Sequence, residues 1–207
     1  MSPDAPLPDR LSPEQRDWAE SSDVHGPQFA AEGGERIRLL CFGAVPLSAA
    51  LCRASRTIGW TPFVVDPRER FAGPERFPEA EEVLVAWPDE AFAELGGLDA
   101  RTAVVALTHA PELDDEALTR ALRSPAFYVG ALGSRRTQGR RRERLQSAGM
   151  AESELARLCG PAGLDLGGES AGEAALAILA EALATQRGRA GGRLTTSANA
   201  VHVEGRP

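Results

Sequence analysis

Short apolar runs recur along the middle of this chain, each the length of one strand and most followed by a helical pattern, and this alternation restricts the fold more than any other feature. The runs are Ile37 to Ala44, Phe63 to Asp66, Val83 to Ala86, Thr102 to Thr108 and Phe127 to Leu132. Consecutive apolar positions suit strands covered on both faces, as in a parallel sheet. Between and after them, apolar residues at helical spacing predict helices from Pro46 to Ile58, Asp89 to Leu95, Pro111 to Leu122, Glu152 to Leu158 and Ser170 to Thr185, with a further helix opening at Ser134. The prediction is an α/β fold, a Rossmann-like mostly parallel sheet flanked by helices, with flexible N- and C-terminal arms.

The 207 residues are enough for one such domain. Residues 1–35 read as an arm rich in proline and charge, with a short helix near Pro13 to Glu20 and docking contacts from Trp18 and Phe29; residues 36–187 carry the alternation, and residues 188–207, with their glycines, polar residues and short VHV end, read as a tail. The net charge of −7 argues against general nucleic-acid binding, and no segment resembles a signal peptide or a membrane span, so a cytoplasmic protein is expected. All 23 basic residues are arginine, so every side-chain cation is a planar guanidinium fork. Cys41, Cys52 and Cys159 lack metal-like spacing, and no metal site is expected.

Candidate site residues fall where the strands end. Phe127 to Arg144 (FYVGALGSRRTQGRRRER) places Gly133 at a close turn, Ser134 at a helix cap, and Arg135 and Arg136 in the first helical turn, where cations oppose the helix dipole and an anion would relieve them. The alternative is a solvated basic helix paired with surface carboxylates. Asp66 stands 23 residues after Gly43, the spacing at which dinucleotide folds bring a carboxylate to the ribose, yet Val45, Pro46 and Ser48 stand where such folds want further glycines, and the branched Val45 side chain falls where the pyrophosphate approaches the backbone. Arg68 is placed either to take a 2′-phosphate or to pair with Asp66 or Glu69. Thr108 ends the fourth run and His109 follows it, and His109 is the candidate acid-base residue, for proton transfer or for positioning. Gly163, Gly167 and Gly168 are placed to bring backbone donors to a ligand, with Asp165 or Glu169 as acceptors, and Cys159 is either a packed thiol or a soft ligand.

The segments FGAVPLSAAL, FVVDPRERFAGPERFP, TAVVALTHAPELDDEAL, FYVGALGSRRTQGRRRERL and GPAGLDLGGESAGEAALAILAE, in that order from Arg38 to Arg187, resemble the XdhC/CoxI family of accessory proteins for xanthine dehydrogenase and related molybdenum hydroxylases. The likeness is to the family's carboxyl-terminal Rossmann domain, and the arm is too short to supply the family's amino-terminal domain. At the first turn the family usually reads GAG, where this chain has Gly43-Ala44-Val45-Pro46. The resemblance implies a chaperone rather than an enzyme: a protein that holds the molybdenum cofactor, as molybdopterin or its cytidine dinucleotide, and delivers it to a molybdenum hydroxylase apo-enzyme. Gly43, Asp66, Arg68, Thr108, Gly133, Ser134, Arg135 and Arg136 are the expected binding residues. Partners other than the apo-enzyme are a second copy in a homo-oligomer, with neither nucleic acid nor membrane expected. Two other functions compete: a small NAD(P)-dependent oxidoreductase using Asp66, Arg68 and His109, and a ligand-free scaffold for a partner enzyme.

Overall fold

The structure, a computed structural model, describes residues 36–198. Strands β1 (Arg38–Phe42), β2 (Thr61–Val65), β3 (Glu82–Leu84), β4 (Thr102–Ala106), β5 (Tyr128–Ala131) and β6 (Leu158–Cys159) form one sheet of order β3-β2-β1-β4-β5-β6, and every pairing is parallel. Helices α1 (Pro46–Thr57), α2 (Pro88–Glu94), α3 (Pro111–Leu122), α4 (Arg135–Ser147), α5 (Glu152–Leu155) and α6 (Ala171–Gln186) connect or follow them. This is the expected Rossmann-like α/β architecture.

The sheet is apolar on both sides because successive strand residues face opposite ways. Leu40 and Phe42 of β1 pack with Val65, Val104 and Ala106 against α2, α3 and Leu145 of α4. Phe42 meets Phe92 edge-on at 5.0 Å between ring centres. On the other face, Leu39 and Cys41 join Val64, Val105 and Tyr128 beneath Leu51 and Cys52 of α1 and Ala175, Ile178 and Ala182 of α6. Small residues on α6 let it lie closely against α1.

Most strand and helix boundaries differ from expectation by one or two residues, and three differences bear on the packing. The third strand ends at Leu84, leaving Val85 exposed and Ala86 buried beyond it. The short helix stops at Leu155, because Leu158 and Cys159 pair with Val129 and Gly130 as a sixth strand, two residues being too few to show a period. The final helix is shifted by one residue, since Ser170 is its cap and not its first turn. Past α6, the described part of the tail carries one 3-10 turn, Leu194–Thr196. The expected helix near Pro13 to Glu20, the docking of Trp18 and Phe29, and the VHV end lie outside the described residues.

The strand order places β1 beside both β2 and β4, so the crossover direction reverses between β1 and β4. The loops leaving those two strands diverge, and a crevice opens at their carboxyl ends, where open α/β sheets bind ligands.

Candidate functional site

A cleft of about 610 Å³ lies at that reversal. Its walls come from the turn after β1 (Val45, Pro46, Leu47), the loop after β2 (Arg68), the loop after β4 (Leu107, Thr108, His109, Ala110), the end of β5 (Leu132) and the start of α6 (Ala171). Seven of these ten side chains are apolar, and among the described residues Arg68 is the one guanidinium that lines the cleft.

The first turn is close-packed from within. Gly43 has φ +120°, and a Cβ there would lie 2.6 Å from Cγ2 of Thr108, so only glycine lets β1 end this near β4. Its N–H donates to the Val65 carbonyl at 2.8 Å, and its carbonyl accepts from the Ser48 hydroxyl. The Ala44 N–H donates to Oδ2 of Asp66 at 2.8 Å. Pro46 has no N–H to give, and Val45 caps α1 without a side-chain hydrogen bond.

Asp66 is fully buried, and its carboxylate is saturated by its own chain. Oδ1 accepts from the Arg68 backbone N–H at 3.0 Å and from Arg68 Nε at 2.8 Å, while Oδ2 accepts from Arg68 Nη2 at 2.7 Å as well as from Ala44. Burial pushes this carboxyl up, but the Arg68 fork and the two backbone donors outweigh it and hold it below the usual carboxylate range. The guanidinium of Arg68 stacks 4.6 Å from the centre of the Phe71 ring, which fixes its plane. Of the two sequence alternatives for Arg68, the pairing with Asp66 is the one present.

Thr108 is buried, and its hydroxyl serves the protein: it donates to Asp114 Oδ1 at 2.6 Å and accepts from the Ala110 N–H at 3.1 Å. His109 is exposed on the cleft wall, and among the described residues its ring has no hydrogen-bond partner to orient it. Gly133 (φ +128°) turns the chain into α4, whose cap is Ser134: its hydroxyl accepts from the Thr137 N–H at 3.2 Å. The N–H groups of Gly133, Ser134, Arg135 and Arg136 have no backbone acceptor among the described residues, and the Arg135 and Arg136 side chains are exposed and unpaired there. These residues follow Leu132 but do not line the cleft itself. The structure thus gathers Arg68, Thr108 and His109 in one cleft, puts Gly43 and Asp66 behind its wall, and leaves the Gly133–Arg136 turn adjoining it.

The segment after β6 is used internally. The Gly163 N–H donates to Glu181 Oε2 at 2.8 Å, and the Glu169 and Ser170 N–H groups both donate to Glu173 Oε2 at 2.8 Å. Ala171 is the segment's contribution to the cleft. Burial, then the nearby Glu181 carboxylate, pushes the Cys159 thiol up to about 11. Among the described residues no group of three or more His, Cys, Asp or Glu side chains is arranged to hold a metal ion.

Sequence reasoning missed the residues that brace this site. Arg141 is 2% exposed; its Nη2 donates to Asp114 Oδ2 at 2.8 Å, and its Nη1 donates to Gln138 Oε1 at 2.6 Å and to the Leu132 carbonyl at 3.1 Å. Gln138 Nε2 donates in turn to the Ala131 carbonyl at 2.9 Å. One buried chain of polar groups therefore joins Thr108, at the end of β4, to the last residues of β5. The signal was present: positions 138, 141 and 145 lie on one face of α4, and Leu145 marks that face as the inward one.

The matching relatives are consistent with this domain. A sequence profile of the XdhC Rossmann domain matches residues 39–182. The chain is 32% identical over 177 residues to the Escherichia coli K12 protein YqeB, covering 84% of this chain and 32% of that one. It is 30% identical over 192 residues to a probable xanthine dehydrogenase subunit of Bacillus subtilis 168, covering 89% and 54%. The crystal structure of a xanthine dehydrogenase from Bacillus halodurans superposes with a TM-score of 0.64 at 27% identity, over 80% of this chain and 46% of that one. The chain thus spans from about a third to about half of the length of these proteins. With the profile running from β1 into α6 and every wall of the cleft inside it, this chain belongs to the XdhC family through its Rossmann domain.

Proposed function

We propose that this chain is an accessory factor that binds the molybdenum cofactor, or its nucleotide form, for insertion into a molybdenum hydroxylase of the xanthine or carbon monoxide dehydrogenase type. The observation that carries the proposal is that the family's own domain and the cleft coincide. A relative bearing the name of a probable xanthine dehydrogenase subunit supports the choice of target. The residues suit such a cargo. Apolar side chains suit a flat ring, Arg68 presents a cation to the cleft, and the adjoining turn offers unpaired N–H groups and two free guanidiniums to an approaching anion. A carrier must also release what it holds, and a cleft open to solvent with few charged contacts serves that need.

The test is to incubate the purified protein with molybdenum cofactor, pass it through a desalting column and assay molybdenum and pterin in the protein fraction. Co-elution in equal amounts is expected. Arg135→Ala with Arg136→Ala is expected to slow loading about tenfold at low salt, because these side chains act through long-range attraction. No retention above that of an unrelated α/β protein would remove the function, and unchanged loading by the double variant would remove the turn from it.

A further inference from the structure

We infer that the cleft selects a ligand with one anionic group on a flat or apolar body and rejects dinucleotides. The inference rests on the cargo-binding function proposed above and narrows the cargo to one with a single terminal phosphate or carboxylate.

A fold with this strand order binds a dinucleotide through two features: free backbone N–H groups at the first turn, which hold the pyrophosphate, and a free carboxylate at the tip of β2, which holds the ribose. The second is occupied here by the chain's own atoms, and the first in large part. At the first turn the Gly43 N–H is bonded to Val65 and the Ala44 N–H to Asp66, and Pro46 has none, which leaves the N–H groups of Val45 and Leu47. The Val45 side chain stands on the cleft wall where a pyrophosphate would approach. At the tip of β2, Asp66 is fully buried with four donors on its two oxygens, so a ribose could reach it only by displacing the Arg68 fork.

The same pairing makes Arg68 a built anion receptor. Nε and Nη2 are spent on Asp66, which fixes the guanidinium, and Nη1 has no partner among the described residues. A side chain held in this way loses little freedom on binding. Around it stand Val45, Leu47, Leu107 and Leu132, which accept an apolar face and offer no second charge.

Fluorescence titration of the full chain with 6-carboxypterin, with unsubstituted pterin and with NADH tests this. We expect 6-carboxypterin to bind at least tenfold more tightly than either of the others. Arg68→Ala is expected to abolish its advantage over pterin. Because that change also strands a buried carboxylate, Leu132→Glu provides a second variant, which keeps the Asp66–Arg68 pair, adds a negative charge to the cleft and should give the same loss. NADH binding as tightly as 6-carboxypterin overturns the inference, as does an advantage that survives both substitutions. A parallel series with riboflavin, FMN and FAD separates the inference from the function it rests on. FMN preferred over both others without any pterin binding keeps the one-anion rule and removes the pterin cargo. Equal binding of pterin and 6-carboxypterin keeps the cargo and removes the rule.

Discussion

Gly43 and Thr108 show how one atom can set the distance between two strand ends. The glycine has a positive φ, and its missing Cβ leaves room for the Thr108 methyl group, which cannot rotate away while its hydroxyl is bonded to Asp114. Gly43→Ala therefore meets two costs, an unfavourable backbone of about 1–3 kcal/mol and an overpacked contact of similar size, about 1–3 kcal/mol. Adding Thr108→Ser removes the methyl group and keeps the hydroxyl, so it should recover the second cost and leave the first. Urea unfolding of both variants measures this, and a double variant no more stable than Gly43→Ala alone would show that the contact does not matter. The turn was legible in the sequence as a damaged glycine motif. The identity of Gly43's neighbour was not, because Thr108 is 65 residues away and reaches it only through the strand order.

The elements that matter most are α3 and α4, since their buried Asp114–Arg141 pair ties β4 to β5 at the edge of the cleft. Burial pushes the Asp114 carboxyl up, and the bonds from Thr108 and Arg141 offset this only in part. The attraction within the pair therefore does little more than offset the cost of burying it. Arg141→Met should cost about 3–5 kcal/mol by leaving Asp114 charged and unpaired, and Arg141→Met with Asp114→Asn should recover much of that, because no isolated charge remains. Chemical denaturation of the two variants distinguishes them; equal losses would mean that the pair is not coupled. The sequence hid this brace by composition. Arg141 stands in a run of arginines that reads as a solvated face, and Asp114 in an acidic first helical turn that reads as dipole compensation, so both looked like surface residues. The sheet and its helices were visible because apolar period and turn residues are local signals, whereas a buried ion pair is a contact between distant segments.

At the scale of the whole molecule, the absence of lysine shapes the response to pH. All 23 basic residues are arginines, which stay charged to beyond pH 12, and the single tyrosine is buried and bonded to Glu181, with burial and that carboxylate driving its ionisation far above the ordinary range. No lysine titrates near pH 10, but a hydrogen bond with Cys52 and burial raise the Cys41 thiol in the fold, and burial raises that of Cys159, so the unfolded chain gives up these protons first and stability should fall as pH rises from about 8 to 10. On the acid side the signs add in the other direction. Burial raises the Asp66 and Asp99 carboxyls, but hydrogen bonds and nearby arginines outweigh it, and backbone donors lower Glu154 and Glu173, so all four are more acidic folded than unfolded. A carboxyl with a depressed folded value stabilises the fold fully above its unfolded value, near 4, and loses that contribution as pH falls through the folded one. Asp114, shifted the other way, works against this trend, but it is one group against four. As the 30 carboxylates protonate, the guanidiniums are left without counter-charges, and self-repulsion adds to the loss. Urea midpoints should thus decline from pH 8 to 10 and fall steeply between pH 4 and 3, with Asp66→Asn flattening the acid limb. Stability that rises from pH 4 to 3, or an acid limb unchanged by Asp66→Asn, would show that the Asp66–Arg68 pair is not held in solution as it is in the structure.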